Sequence, residues 1–182
     1  GSEMCIRDSI LGDTDGDGAA DKSTVFADGL YLPTGIEFAN GGVYVGQSPD
    51  VFFLKDTDGD DVADVKELAL TGFGIEDNHH SISAWRRGPD GWIYFQEGIF
   101  LHAQVETPFG VIRNYNGGVY QFNPRTQELR VFVRGTGGNP WGHVFEEWGQ
   151  SFMVNNPRIM HLSPASGNSG KSVPVKPLIS TE

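Results

Sequence analysis

The chain contains the same acidic loop twice. Asp13-Thr14-Asp15-Gly16-Asp17 runs on to Asp21, and Asp56-Thr57-Asp58-Gly59-Asp60 runs on to Asp64, 43 residues later. An acidic turn that recurs at a fixed interval marks a repeat architecture, because each copy has to occupy the same place in a supersecondary unit. Carboxylates at relative positions 1, 3, 5 and 9 of a tight, glycine-containing turn also open an oxygen-rich calcium loop. The second copy adds Glu67 at relative position 12, where such a loop places a bidentate ligand.

A strand–turn–strand pattern repeats around these loops. It occurs in Pro33–Val45, with Asn40-Gly41-Gly42 at the turn, in Ala84–Phe95 around Gly88-Pro89-Asp90-Gly91, and in Asn139–Val154 around Trp148-Gly149. Each segment sets a short strand, a glycine-bearing turn and a β-branched or aromatic strand in the same order. Outer hairpins fill the intervals: Val51–Leu54 and Val65–Leu70 flank the second acidic loop, and Gly118–Phe122 and Leu129–Val133 flank Asn123-Pro124-Arg125-Thr126. Their alternation of apolar and polar residues suits half-buried antiparallel strands.

Four short strands per unit of about 40–60 residues predict an all-β fold of the β-propeller type. A six-bladed propeller needs roughly 250–300 residues, so this chain of 182 holds about three to four blades and reads as an incomplete fragment. Residues 10–162 carry the partial propeller. Residues 1–9, with the single cysteine Cys5, share no pattern with the rest of the chain and resemble a non-native adapter-like leader. The segment 163–182, rich in Ser, Gly, Pro and Lys, reads as a loop or a disordered tail.

The net charge of −11 argues against nucleic acid as a partner. Nine of the 24 acids sit in the two loops, and that density of like charge is relieved by bound cations. The expected metal ligands are Asp13, Asp15, Asp17 and Asp21 in the first loop, and Asp56, Asp58, Asp60, Asp64 and Glu67 in the second, with Ca2+ in a structural role. Neither loop is a complete EF-hand loop. The first has Thr24 at position 12, the second has Asp61 where glycine is expected, and no helical pattern flanks either. A solvated acidic turn is the alternative reading. No apolar run reaches the ~18–20 residues that span a bilayer, so no transmembrane segment is expected.

The second constellation is Glu76-Asp77-Asn78-His79-His80, ahead of the strand that contains Trp85. Imidazole is the general base available near neutral pH and a common metal ligand. Counted from the turn glycines, His80 lies 11 residues before Gly91, Asn139 10 before Gly149 and Pro33 9 before Gly42. His79, His80 and Asn139 are therefore expected to converge on one face, with Asp77 beside them. A hydrogen-bonded histidine pair that locks a loop explains the same residues. The glycines of Gly135–Gly138 permit close backbone approach around Asn139, or simply a tight crossover between blades. His102, His143 and His161 are read as structural, and Trp92, Trp141 and Trp148 as packing between blades.

Taken in order, Phe53–Asp60, Leu70–His80, Gly88-Pro89-Asp90-Gly91-Trp92-Ile93-Tyr94 and Asn139-Pro140-Trp141-Gly142 resemble the propeller of the PVC-type membrane-bound dehydrogenase family. That family is similar to soluble quinoprotein glucose/sorbosone dehydrogenases, six-bladed propellers that use pyrroloquinoline quinone (PQQ) and calcium. The resemblance covers roughly residues 11–162 and implies an exported, periplasmic or extracellular protein, with any membrane association lying in parts outside this chain. It also implies a sugar or alcohol substrate and a cytochrome c domain or partner as electron acceptor. Residue by residue, His80 stands eight positions before Gly88-Pro89-Asp90, where the quinoproteins have their catalytic base. Asn139 matches the asparagine of their Arg-Asn-Pro, whereas the arginine is replaced by Gly138. A non-catalytic carbohydrate- or protein-binding propeller and a metal-dependent, lactonase-like hydrolase built on Asp77, His79 and His80 are the alternative readings.

Overall fold

The structure is a computed structural model that describes residues 6–136, 138–155, 158–162 and 176–177. It is all-β, with antiparallel sheets, none of which closes on itself. The first hairpin joins β1 (Ile6–Gly12) to β2 (Lys22–Leu30) through the first acidic loop. Ile6–Ser9, which the sequence sets apart as leader, belong to β1. Next comes a meander of β3 (Gly35–Ala39), β4 (Gly42–Gln47), β5 (Asp50–Lys55) and β6 (Val65–Thr71), with the second acidic loop between β5 and β6. The β3–β4 turn centres on Asn40 and Gly41, both at positive φ (55° and 73°), as a two-residue type I′ turn requires.

The meander forms the first sheet, which reaches six strands because a later hairpin adds to its β6 edge; the second sheet is four-stranded and consists of β7 (Ser83–Arg87), β8 (Ile93–Glu97), β11 (Gly118–Asn123) and β12 (Glu128–Arg134). Between β8 and β11 the chain makes an extra hairpin, β9 (His102–Thr107) and β10 (Gly110–Tyr115), which pairs with the edge of β6 through Thr71 and Glu106. The repeated pattern of short strands does not reveal this hairpin. The third sheet is β13 (Pro140–Phe145), β14 (Ser151–Asn155), β15 (Arg158–Leu162) and the two-residue β16 (Lys176–Pro177). The rest of the 163–182 tail lies outside the described residues. No helix among the described residues is long and apolar enough to cross a membrane.

The sheets stand side by side, with β7 packed beside β3 on one flank and β13 on the other. The largest core lies between the first two sheets. Trp85 on β7 stacks on Phe95 at 4.4 Å and presses onto the backbone of β3 and β4 at Gly35 and Gly46. A Cβ at either glycine would lie 2.1 or 2.4 Å from the indole, so both positions have to lack a side chain. Phe73, Tyr120 and Phe122 complete this layer, and burying each large aromatic stabilises the fold by about 1.5–3 kcal/mol. A smaller cluster of Tyr94, Val119, Val133 and Met153 joins the second sheet to the third. Leu30 of β2 packs on Val43, Val45 and Leu54.

The tryptophans correct one expectation. Trp92 packs against the cluster that joins the second sheet to the third, under the Arg130 guanidinium at 4.1 Å, whereas Trp141 and Trp148 are 64% and 80% exposed and Trp85 is the indole between the first two sheets. Trp85 packs inward because its register on β7 faces the glycine pair, a relation that no single strand encodes.

Candidate functional site

The segment linking β6 to β7 ends in a 3-10 turn, Asn78–His80, capped by Asp77. One Asp77 carboxylate oxygen accepts the His79 N–H at 2.8 Å, and the other lies 2.8 Å from His80 Nδ1. A short acidic side chain at the cap position does both because the turn brings residue i+3 back over it. On the far side of the ring, His80 Nε2 lies 2.6 Å from Asn139 Oδ1, in the segment that leads into β13. The result is a continuous chain, Asp77–His80–Asn139, across the junction where two sheets begin.

The surroundings hold the imidazole in place. His80 is 7% exposed, and its carbonyl accepts the Gly98 N–H at 2.9 Å. Gly98 has to be glycine, since a Cβ there would meet the His80 Cβ and ring at 2.6 Å. Ile99 N–H reaches the carbonyl of Gly138, which ties the loop after β8 to the Asn139 segment. His79 stacks on His80 at 5.0 Å and is exposed, and Phe100, 57% exposed and at φ 74°, presents its ring edge to His80 at 5.9 Å. A non-glycine residue at such φ is uncommon and gathers at sites whose geometry the surroundings over-determine.

The partners set the chemistry. The hydrogen bond from His80, aided by the His79 N–H, holds the Asp77 carboxyl below its ordinary range, so Asp77 is an acceptor. This places a proton on Nδ1 and leaves Nε2 as the exchangeable nitrogen. In the neutral ring Nε2 accepts from the Asn139 amide NH2; in the protonated ring it donates to Asn139 Oδ1, and amide rotation serves both states. The expected convergence of His80 and Asn139 is present, with Asp77 and His79 at the same place.

Just behind this junction lies Glu97, fully buried, which accepts from Tyr120 Oη–H at 2.6 Å and from Gly74 N–H at 2.9 Å. Burial pushes its carboxyl pKa up, and the Tyr120 hydrogen bond opposes the shift. Glu97 was not among the residues expected at a site; Gln96-Glu97 closing an otherwise apolar strand is the one signal it carries in the sequence. Two further histidines lie away from the Asp77–His80–Asn139 chain. His102 pairs with Glu76 at 2.9 Å, and His143 is buried against Tyr94 and Phe145 with Nε2 on Ser151 Oγ. The side chain of His161 lies outside the described residues.

The two acidic loops fold alike. Asp13 accepts the N–H groups of Gly16 (2.7 Å) and Gly18 (2.9 Å), as Asp56 accepts those of Gly59 (2.7 Å) and Asp61 (3.0 Å). Asp21 and Asp64 each take the N–H and hydroxyl of the threonine at position two, Thr14 or Thr57. These backbone bonds hold the carboxyls of Asp13 and Asp56 below their ordinary range, while the neighbouring charges of Asp60 and Asp64 push Asp58 up. Oxygens of Asp13, Asp15 and Asp17, and of Asp56, Asp58 and Asp64, lie within 4.8 Å of one another, close enough to share a divalent cation. Asp21 stays with Thr14, and Asp60 accepts the Val62 N–H at 2.8 Å. Glu67 stands opposite Phe53 on β6, outside the converging trio. Among the described residues no histidine joins two further ligands in such a group.

The fold and the site thus define an all-β protein of repeated antiparallel sheets that carries an Asp–His–Asn chain where two of those sheets begin. The chain belongs to the family described as Domain of unknown function (DUF7133), which it matches over residues 5–173. No curated protein and no solved structure matches it.

Proposed function

We propose that the chain is part of an exported, calcium-stabilised six-bladed β-propeller, about three to four blades of it, related to the PQQ-dependent sugar and alcohol dehydrogenases, with His80 as general base toward a substrate hydroxyl. Three successive four-stranded units with their first strands side by side support the propeller reading. The observation that carries the catalytic reading is the Asp77–His80–Asn139 chain. Asp77 keeps the ring oriented and stabilises the imidazolium formed when Nε2 takes a proton, while Asn139 occupies the place a hydroxyl takes at Nε2. The acidic loops act as clips between outer strands rather than as a catalytic centre.

In that reading PQQ would supply a hydride acceptor, and a cytochrome c domain or partner would take the electrons. The groups touching His80 are a carboxylate, an amide, a second imidazole and a phenyl ring. None is a cation that would meet the carboxylates of this quinone, and Gly138 stands where the quinoproteins have arginine. These residues do not by themselves make the cofactor site.

A second reading rests on the engagement of both ring nitrogens in a residue only 7% exposed: His80 is a clamp in a non-catalytic carbohydrate- or protein-binding propeller. One experiment separates the two. The full-length parent is loaded with PQQ and calcium, and dye-linked oxidation of sugars and alcohols is compared between wild type and His80→Ala. Quinone binding with turnover abolished in a folded variant supports the dehydrogenase; absence of quinone binding and of any turnover leaves the clamp.

A further inference from the structure

From Asp8 to Gly12 the hairpin β1–β2 reproduces β5–β6 pair for pair. Gly12 faces Lys22 as Lys55 faces Val65, Ile10 faces Thr24 as Phe53 faces Glu67, and Ser9 faces Val25 as Phe52 faces Leu68. A register shift recurs at the same place, between Asp8 and Ser9 in one hairpin and between Val51 and Phe52 in the other. The hairpin β1–β2 is therefore the outer half of a further four-stranded unit. In the next unit along the chain, β4 pairs along the inner edge of β5 and β3 along β4. Among the described residues β1 pairs with β2 alone.

The side chains on the neighbouring sheet agree with this. Ile36 stands opposite Val45 on β3–β4 and faces the preceding unit, as Trp85 stands beside Phe95 on β7–β8 and faces Gly35 and Gly46. Val43, Val45 and Leu54 on that side are covered by Leu30 of β2. Ile36 and Phe38, one strand further in, are 45% and 66% exposed, and with Ile10, Phe26 and Val43 they line a mainly apolar cleft that Asp8 and Ser9 of β1 also border. An unpaired strand edge beside exposed apolar side chains is a template for added strands.

We infer that this cleft is the docking surface for a two-stranded antiparallel β-hairpin joined to the N-terminal end of β1. Its second strand pairs with the free edge of β1 as β4 pairs with β5, and its first strand lies over Ile36 and Phe38. The surface continues the interface that β2 already makes with Val43 and Val45, and the occupant presents small or apolar residues to it, as Gly35 and Gly46 do to Trp85. The inference stands on the repeat alone, independent of any chemistry at His80.

The test uses the chain's own inner hairpin as probe. A copy of Gly35–Pro49 is fused ahead of Arg7 in place of residues 1–6, so that it precedes β1 as the original precedes β5, and amide hydrogen exchange is measured on β1. The expected result is a gain in protection of at least about tenfold for β1 amides facing away from β2. Phe38→Glu, tolerated in the unfused chain, is expected to abolish that gain. Unchanged exchange overturns the proposal, as does equal protection from a hairpin of scrambled sequence. A dimer of the unfused chain that protects the same amides and is dissolved by Phe38→Glu also overturns it, since a second copy then owns the surface.

Discussion

His80 Nε2 and Asn139 Oδ1 lie 2.6 Å apart although 59 residues separate them in the chain. That single contact ties the start of the second sheet to the start of the third, and Thr34 Oγ1, 2.5 Å from the Ile82 carbonyl, ties the first to the second in the same region. The segments leading into β3, β7 and β13 are thus linked in series. A residue placed there sits at the meeting point of rigid elements, which is where binding side chains are held most accurately.

Asn139→Ala is expected to lower stability by about 1–3 kcal/mol, because Nε2 of a ring 7% exposed loses its partner. His80→Gln, which keeps a polar group in the junction, is expected to cost less than His80→Ala. Chemical denaturation of the three variants checks the order; midpoints equal to that of the wild type would show that the contact contributes nothing to the fold.

Trp85→Ala is expected to destabilise by about 3–5 kcal/mol, the range for emptying a large aromatic site. Gly46→Ala should also be strongly destabilising, since its Cβ would lie 2.4 Å from the indole. In the double variant the removed indole makes room for the added methyl, so the two costs are expected to be markedly less than additive in thermal melts.

His143 makes stability fall in acid. Burial, with a smaller contribution from Arg86, pushes its pKa down to about 4, against 6.5 when exposed. A histidine with a depressed folded-state pKa contributes fully above about pH 6.5, and this contribution is lost progressively as the pH falls toward 4. The shift corresponds to about 3 kcal/mol. His143→Gln is expected to flatten the stability profile between pH 6.5 and 4, measured by denaturant titration at several pH values.

Calcium is expected to raise the melting temperature if the acidic loops are clips. At a hundredfold excess over the dissociation constant, one site stabilises by about 2.7 kcal/mol. Asp56→Asn removes the negative charge and one of the two oxygens that accept the Gly59 and Asp61 N–H groups, so it is judged by its calcium response rather than its basal stability. Asp58→Asn is the cleaner probe: it relieves the repulsion from Asp60 and Asp64, so without metal it is neutral or stabilising, and with metal it loses the second loop's share of the shift. A calcium response unchanged in both variants would place the ion elsewhere.

Much of this protein was legible in the residues themselves, because the signals are local. Alternating apolar strands, the Asn40-Gly41 turn and the duplicated acidic loop give strands and turns in the right order, since strand pairing across a short turn depends on residues close in sequence. Asp77 and His80 are joined by one 3-10 turn, and their proximity comes from spacing alone. The spacing of Asn139 from its turn glycine placed it with them because repeated units superpose. What only the tertiary structure decided are relations between faces of different sheets. Trp85 rather than Trp141 fills the gap between sheets, Glu97 is buried under Tyr120, Glu67 turns away from its loop, and Ile36 and Phe38 are left uncovered. Strand periodicity says that a side chain points to one face or the other. Which surface meets that face is set by the packing of residues tens of positions away, and no local pattern contains it.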